Sequence, residues 1–269
     1  MAIIALQSAS SGLSALSTKL DVIANNLANV NTDGFKASRA NFQDLLYIEK
    51  AQPGVENANG DQRPTGLYVG LGVKVSGTQV DFTQGPPVTT DRELDLMIDG
   101  AGFFQVQVED QRAPGGIAYT RAGNLTLNSD GELVLANDQG RRLEPNIVVP
   151  DDAEAIEVTR DGLVFVRQPG QQDPVQIGEI DLAAFINPTG LRQIGENLFA
   201  ETAASGPPLT GEPGTDGRGG ILQRRLEGSN VNPTNELINL IRTQRAFEMN
   251  SQTIRAADET LQSVAQLRR

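Results

Sequence analysis

A heptad pattern in the first thirty residues is the feature that most restricts how this chain can fold. Apolar residues recur there at alternating steps of three and four: Leu6, Ala9, Leu13, Leu16, Leu20, Ile23, Leu27 and Val30. That spacing predicts one helix with a continuous apolar stripe. Asp33 and Gly34 follow, and glycine can take the left-handed conformation that ends a helix. We therefore predict a helix over residues 1–33 whose stripe needs a partner.

A second long helix is predicted over residues 233–269. Asn232 suits the N-cap, and Pro233 is tolerated at the first helical position because no N–H is needed there. One apolar series repeats every seven residues: Leu240, Phe247, Ile254 and Leu261. A companion series from Leu237 is weaker, because three polar residues interrupt it: Gln244, Ser251 and Asp258. Long helices are held mainly by packing, so we expect the terminal helices to form a coiled coil.

The pattern leaves open what covers these two helices. They could pair within one monomer and close a domain. However, small polar residues flank the N-terminal stripe and the C-terminal companion series is interrupted, so such a pair would form an exposed stalk. We favour the alternative in which helices of neighbouring subunits complete the packing. In that case the isolated monomer has largely disordered ends.

Three asparagines lie in the first helix outside its apolar stripe. Asn25, Asn26 and Asn29 each lower helix propensity by up to about 0.7 kcal/mol relative to alanine, and each offers amide donors and a carbonyl acceptor. A solvated helix face is one interpretation. We favour the other, in which neighbouring subunits supply the hydrogen bonds and the segment becomes helical on assembly.

Strand patterns replace the helical ones after residue 34. Residues 34–75 are expected to form an extended connector or hairpin with a polar, mobile loop at 51–63. Residues 76–205 alternate in hydropathy, as in an all-β sandwich or barrel. Residues 206–232 are rich in glycine and proline and are interpreted as a return linker. The fold class is therefore α+β, with long N- and C-terminal helices packed as a coiled coil and a central all-β body.

Two dipeptides in the predicted body mark hairpins. They are Asp130-Gly131 and Asp161-Gly162, and Asp-Gly is typical of tight turns between antiparallel strands. The segment around the first turn, NSDGEL, is only superficially like a calcium loop, because the first ligand position falls on Thr126. It is interpreted as a turn without a metal.

Composition removes most catalytic chemistry. The chain has no cysteine and no histidine, which excludes disulfides, thiolate metal sites, cysteine nucleophiles and the commonest general base. Carboxylates remain, and four lie close in sequence: Asp91, Glu93, Asp95 and Asp99. Their spacing along a strand is more typical of a solvated edge. We therefore predict no enzymatic activity, no catalytic residue, no cofactor and no metal site.

Charge is concentrated in the centre of the chain. The net charge is −12, and residues 51–224 hold 12 basic and 25 acidic residues while the two ends are almost neutral. An acidic centre without clustered Lys or Arg argues against nucleic acid and anionic membranes as partners. No apolar run is long enough for an integral membrane segment, and the N-terminus lacks the basic region of a secretory signal.

Several blocks of the sequence are similar to the bacterial flagellar rod and hook family. These are LDVIANNLANVNTDGFK, IDGAGFFQV, YTRAGNLTLNSDGELV and EGSNVNPTNELINLIRTQRAFEMNSQTIRAADETLQ. The first is the most specific, and Asn31, Gly34 and Phe35 form its helix-end part. Within the family, FQDLLYIEKAQPG followed by LYVGLGVKV most resembles the distal-rod members.

The resemblance implies a structural subunit that assembles into a hollow helical tube, with the terminal helices as its inner layer and the β body outside. The assembly interface would then comprise Leu6, Leu13, Leu16, Leu20, Ile23, Asn25, Asn26, Leu27, Asn29, Val30, Leu237, Leu240, Phe247, Ile254 and Leu261. The implied partners are further copies of the chain, proximal rod proteins, the hook protein, P- and L-ring proteins, a rod cap and the type III export apparatus.

The same resemblance implies a location in the flagellar basal body, from the periplasm to the outer membrane, after export without a cleaved signal peptide. Two alternatives stay open. A proximal rod or hook protein would share every helix argument and differ in its partners. A secreted β-domain adhesin or enzyme would instead be monomeric with ordered ends.

Overall fold

The computed structural model describes residues 2–56, 62–170 and 173–267. The chain divides into two compact units. The terminal unit comprises residues 1–28, 38–79 and 232–269, and the body unit comprises residues 29–37 and 80–231. The chain therefore passes between the two units at four points, after residues 28, 37, 79 and 231.

Two long helices lie in the terminal unit, as their heptad patterns predict. Helix α1 spans Ala2–Ala28 and α2 spans Pro233–Leu267, which makes them about 40 and 50 Å long at 1.5 Å per residue. The predicted N-cap of α2 is confirmed, because the backbone N–H of Asn235 donates to Asn232 Oδ1 at 3.1 Å.

Two short antiparallel ribbons follow α1. Their strands are β1 (Ser38–Asp44), β2 (Tyr47–Ala51), β3 (Leu67–Gly70) and β4 (Val73–Val80). β1 pairs with β4, and β2 pairs with β3 in a register that sets Tyr47 opposite Gly70. The ribbon of β2 and β3 lies within residues 34–75, whereas β4 runs across the boundary expected at residue 75. The centre of the expected mobile loop, residues 57–61, lies outside the described residues.

The body unit is built from short strands. In chain order they are β5 (Pro87–Thr89), β6 (Leu96–Asp99), β7 (Phe103–Gln107), β8 (Ile117–Thr120), β9 (Leu125–Leu127), β10 (Leu133–Leu135), β11 (Leu143–Glu144), β12 (Ala155–Val158), β13 (Leu163–Arg167), β14 (Val175–Glu179), β15 (Leu182–Ala184), β16 (Arg192–Gly195), β17 (Leu198–Ala200), β18 (Leu209–Gly211), β19 (Gly220–Gln223) and β20 (Arg225–Glu227).

The largest sheet of the body unit has seven strands in the order β16-β17-β8-β7-β15-β18, with β11 also paired to β7. A second sheet has the order β12-β13-β14, and three ribbons pair β9 with β10, β6 with β19, and β5 with β20. The hairpin turns predicted at Asp130-Gly131 and Asp161-Gly162 are confirmed, since they join β9 to β10 and β12 to β13 in antiparallel register.

Strand β7 separates two apolar clusters of the body unit. Phe104 and Val106 lie in the main core, whereas Phe103 lies in a smaller cluster. Successive side chains of a strand point to opposite faces, so one strand serves both clusters. The smaller cluster is aromatic, and Phe103 makes edge-to-face contacts with Phe82 (5.4 Å between ring centroids) and Phe185 (5.8 Å).

Two expected boundaries differ from the structure. The helix predicted over 1–33 ends at Ala28, because residues 29–34 form turns in which the N–H of Thr32 donates to Asn29 O (3.2 Å) and the Thr32 hydroxyl to Asn29 Oδ1 (3.1 Å). Such local side-chain bonds compete with helix formation. Residues 206–232, expected as a linker, contain three strands, whose partners are β15, β6 and β5.

Candidate assembly surface and junction clasp

Only part of the apolar stripe predicted on α1 is buried. Ala9 and Ile23 are buried. The other stripe residues remain partly exposed: Leu6, Leu13, Leu16, Leu20, Leu27 and Val30. Val30 also lies beyond the end of α1, in the turns at 29–34. Part of the apolar stripe of α1 therefore remains exposed to solvent in the single chain.

Polar contacts join α1 to the end of β3 and to the start of β4, which belong to different ribbons. The Ser8 hydroxyl donates to Gly70 O at 3.3 Å, and the N–H of Val73 donates to Ser11 Oγ at 3.2 Å. Gly72 has φ of +116°, a conformation that favours glycine, and a Cβ there would lie 3.1 Å from Ser8 Cα. The small residues beside the stripe thus serve packing within the chain.

Helix α2 leaves much of its apolar surface exposed. Leu237 is 46% exposed and Ile241 is 51% exposed, and Phe247 and Leu261 are exposed as well. Leu240 and Ile254 are half-buried. Leu237, Ile241, Phe247 and Leu261 together are called the α2 apolar stripe below. A water-soluble helix does not normally present such a row of large apolar side chains to solvent.

The most buried polar position of α2 was not singled out by its sequence pattern. Thr243 is 3% exposed, and its hydroxyl donates to Asn239 O at 2.7 Å. Thr243 and Asn250 lie seven residues apart and each follows a member of the Leu240 series by three residues. A Cβ placed on Gly12 of α1 would lie 3.0 Å from Asn250 Nδ2, so α1 and α2 approach closely there. Two polar residues, Thr243 and Asn250, thus lie among the packed positions of α2, which a pattern of apolar repeats does not reveal.

Asn26 has a hydrogen-bond partner within its own chain. It is only 2% exposed, and its amide bonds the backbone of Ser38 twice: Asn26 Nδ2 donates to Ser38 O (2.8 Å) and the Ser38 N–H donates to Asn26 Oδ1 (2.9 Å). This amide is thus already bonded within the chain, and its contact with neighbouring subunits stays a prediction. Its partner lies just beyond the turn after α1, which a helical projection cannot reveal.

The other asparagines of the segment lie nearer the surface. Asn25 is exposed, Asn29 is half-buried and Asn31 is exposed. Asn29 Oδ1 accepts the hydroxyl hydrogen of Thr32 at 3.1 Å. Asn29 and Asn31 lie in the turns rather than in the helix. The interface role of Asn25 and Asn29 stays a prediction.

Gly34 has the left-handed conformation that its sequence position predicts, with φ of +70°. It is buried, and a Cβ there would lie 2.6 Å from Ala122 N. Its N–H donates to Glu227 O at 2.7 Å. Neighbouring Phe35 is half-buried. Glycine is therefore needed both for its conformation and for a close backbone approach.

A buried charge cluster follows directly after Gly34. Lys36 Nζ donates to Glu227 Oε1 at 2.5 Å and to Thr83 O at 2.8 Å, and the side chains of Lys36 and Glu227 are both 0% exposed. Arg121 Nη1 reaches Glu227 Oε2 at 3.3 Å, and the N–H of Gly85 donates to Glu227 Oε1 at 2.9 Å. One carboxylate thus holds two cations and a backbone amide.

Burial lowers the pKa of both cations in this cluster. Desolvation lowers the pKa of Lys36, and the neighbouring Glu227 carboxylate opposes that effect. Desolvation likewise lowers the pKa of Arg121, again against Glu227. Arg121 also lies over the Phe103 ring, 5.2 Å from its centroid, and donates to Gly100 O at 2.8 Å.

Asn230 adds hydrogen bonds to backbone groups next to this charge cluster. The Ala37 N–H donates to Asn230 Oδ1 at 2.7 Å, and Asn230 Nδ2 donates to Asp81 O (2.8 Å) and Thr83 O (3.1 Å). We call the set of Gly34, Lys36, Arg121, Glu227 and Asn230 the junction clasp. The sequence pattern did not single out Lys36, Arg121, Glu227 or Asn230, because partners 191 residues apart leave no periodic signal.

The four carboxylates considered for acid–base chemistry do not converge. Asp95 is buried beside Arg92 (3.8 Å), Glu93 Oε1 accepts from Arg224 (2.8 Å), and Asp99 pairs with Arg160 (3.5 Å). Within the part of the chain that the structure describes, no group of three acidic side chains is placed to hold a metal ion. Glu93, Asp95 and Asp99 instead form ion pairs with arginines of the body unit.

Comparison with known proteins identifies the class. Residues 6–36 match the family described as flagella basal body rod protein, residues 97–166 match the D1 domain of flagellar hook protein FlgE/F/G, and residues 222–267 match the C-terminal region of flagellar basal body rod FlgEFG proteins. These matches cover most of α1, all of α2, strands β7, β8 and β11 of the seven-stranded sheet, and every residue of the junction clasp. They define a structural protein of the flagellar axis, not an enzyme.

Full-length relatives narrow the class. The flagellar basal-body rod protein FlgG of Caulobacter vibrioides is 44% identical over 98% of this chain and 99% of its own. FlgG of Buchnera aphidicola from Schizaphis graminum is 44% identical over 95% and 96%, and FlgG of Bacillus subtilis is 38% identical over 98% and 98%. The chain belongs to the FlgG family of flagellar basal-body rod proteins, the distal-rod branch of the axial proteins.

Among the described residues, neither helix is long and apolar enough to cross a membrane. The location that family membership supports is the flagellar basal body, where the protein is a rod subunit among other flagellar components.

Proposed function

We propose that this rod subunit polymerises into a hollow helical shaft whose inner layer consists of α1 and α2 from many copies. The α2 apolar stripe supports this most directly, because it is left without cover in the single chain. Fully burying an exposed side chain of this kind gives roughly 1.5–3 kcal/mol, and these four are 36–51% exposed, so each would add a part of that amount on assembly. Contacts that repeat without closing a ring produce a helical filament.

In this proposal the terminal helices form a coiled coil that neighbouring copies complete. The interface comprises the α2 apolar stripe together with the half-buried leucines of α1, Leu6, Leu13, Leu16, Leu20 and Leu27. Asn25, Asn26 and Asn29 would lie at this interface, with the Asn26 amide also bonded to Ser38 of its own chain. Residues 34–75 would connect the layers, and residues 76–205 would form the outer layer.

The body is proposed to face outward because it carries most of the negative charge of the chain. A hydrated acidic surface without a large apolar patch suits a shaft that turns inside a bushing. We therefore propose that the rod crosses the periplasm, turns inside the P and L rings and transmits torque to the hook. Its other partners would be the proximal rod proteins, the rod cap and the type III export apparatus, which would deliver it without a cleaved signal peptide.

A deletion strain tests the proposed place of the subunit. Basal bodies isolated from cells without this chain should end before the hook and lack the distal part of the rod. Re-expression should restore full-length rods. Basal bodies that keep a normal distal rod and hook would overturn the assignment, and loss of the whole rod would place the subunit in the proximal rod instead.

A further inference from the structure

The junction clasp lies where the chain enters and leaves the body unit. The chain crosses between the units after residues 28, 37, 79 and 231. The clasp joins the three body segments next to these crossings, which are residues 34–37, 81–85 and 227–230. The connections after residues 37, 79 and 231 therefore lie next to segments that the clasp binds to one another, and the connection after residue 28 lies six residues before the first of them.

We propose that Glu227 is a positioning residue for assembly. It holds these three segments in one arrangement, so that local opening of one segment releases the other two. Its consequence for assembly rests on the proposed function. A loosened clasp would leave these body segments without one fixed conformation, and subunits of varied conformation do not fit a regular tube.

The hydrogen bonds support joint behaviour because each segment is bonded to the other two. The Gly34 N–H donates to Glu227 O (2.7 Å), Lys36 Nζ donates to Thr83 O (2.8 Å), and the Gly85 N–H donates to Glu227 Oε1 (2.9 Å). The N–H of Asp81 also donates to Ala37 O at 2.8 Å. Displacing one segment removes partners from both of the others, which leaves buried polar groups unsatisfied.

The three charged residues of the junction clasp, Lys36, Arg121 and Glu227, do not contribute equally to its stability. Lys36 without Glu227 would face Arg121 inside the protein, and that repulsion disfavours both charged forms. Glu227 without Lys36 would still accept from Arg121 and from the Gly85 N–H. Removing the shared carboxylate should therefore loosen the clasp more than removing one cation, because it leaves two buried charges unpaired.

Amide exchange on the purified full-length monomer tests this order. We compare Glu227→Gln, Lys36→Met and the double variant Lys36→Met/Glu227→Gln with the unmodified chain. Glu227→Gln should speed exchange at least tenfold in residues 34–37, 81–85 and 227–230 alike. Lys36→Met should have a smaller effect, and the double variant should exchange more slowly than Glu227→Gln, because one unpaired cation has been removed.

Glu132→Gln is the matched control. Glu132 is a carboxylate of the same unit that accepts from Asn128 (2.8 Å), Asn146 (2.9 Å) and Arg142 (2.9 Å), but it touches none of the clasp segments. It should affect only its own hairpin and the following segment that holds Arg142 and Asn146. Faster exchange in one clasp segment alone, equal exchange in Glu227→Gln and the double variant, or the same three-segment effect in Glu132→Gln would each overturn the proposal.

A second measurement separates the clasp from the proposed function. Tube formation is followed for each variant whose core amides, such as those of Phe104 and Val106, keep their protection. Variants with a loosened clasp should form no regular tubes. Normal tubes from such a variant would overturn the positioning role. If the unmodified chain forms no tubes, the proposed function fails. The exchange rates still decide whether the three clasp segments open jointly.

Discussion

Asn26 and Ser38 exchange two hydrogen bonds across the turn that follows α1, at 2.8 and 2.9 Å. The amide side chain takes both backbone groups of Ser38, as the backbone of a neighbouring strand would. This pairing fixes the first residue of β1 against the last turns of α1. An asparagine that weakens the helix therefore stabilises the terminal unit through a contact beyond the helix.

Replacing Asn26 by alanine should release Ser38. The lost bonds leave a part-buried donor and acceptor without partners, which costs about 1–3 kcal/mol. In the assembled tube, where α1 is ordered, the Ser38 amide should then exchange with solvent roughly tenfold faster or more. Asn31→Ala is the control, because Asn31 is exposed in the following turn. Equal exchange of Ser38 in the two variants would contradict this role of Asn26.

Replacing Gly34 by alanine should destabilise the body unit for two reasons. The left-handed conformation costs a non-glycine residue about 1–2 kcal/mol. The new Cβ would also lie 2.6 Å from Ala122 N, so the backbone must shift. Gly115→Ala isolates the first cost, because Gly115 has φ of +68° and open space around it. Denaturant unfolding should show a clearly larger loss for Gly34→Ala, and equal losses would argue against the close approach.

The turn at Glu196 should stabilise the body unit in a pH-dependent manner. Hydrogen bonds from Arg141 (2.7 Å) and Arg112 (2.6 Å) lower the pKa of Glu196 from 4.5 to about 2. A carboxyl group whose pKa is lower in the folded state stabilises that state above its unfolded pKa. The stabilisation is therefore complete above about pH 5 and falls away as the pH drops toward 2.

Thermal unfolding of Glu196→Gln checks this sign. The amide cannot ionise, so its unfolding midpoint should lie below that of the unmodified chain at pH 6, and the gap should narrow steadily toward pH 2.5. A gap that stays constant over this range, or widens with acid, would show that the ion pairs do not carry the difference.

The isolated monomer should protect its helices poorly. Much of the apolar surface of α1 and α2 lacks cover in the single chain, and long helices depend on packing. Amides of residues 2–28 and 233–267 should exchange quickly in the monomer and slowly after assembly. Strong protection in the monomer would instead favour a closed pair of helices within one chain.

The sequence predicted what depends on local or periodic signals. The N-cap at Asn232, the left-handed Gly34 and the turns at Asp130-Gly131 and Asp161-Gly162 each follow from the chemistry of one or two residues. The heptads placed both helices, because apolar residues that recur every three or four positions line one face of a helix and of no other regular element.

What the sequence missed depends on distant partners or on polar packing. Lys36 and Glu227 meet across 191 residues, and neither stands out in its own segment. Thr243 is buried without being apolar, so a hydropathy search passes over it. The strands within 206–232 were hidden by their glycines and prolines, since sheet pairing with β5, β6 and β15 overrides weak local propensity.

Electron microscopy of the purified protein tests the central proposal most directly. The unmodified chain should form straight hollow tubes, whereas Leu237→Ser/Ile241→Ser should stay monomeric with an intact body, because it removes two large members of the α2 apolar stripe. Gln244→Ser serves as the matched control and should form tubes. Tubes from the double serine variant, or a stable monomer from the unmodified chain with both helices protected, would contradict assembly through these helices.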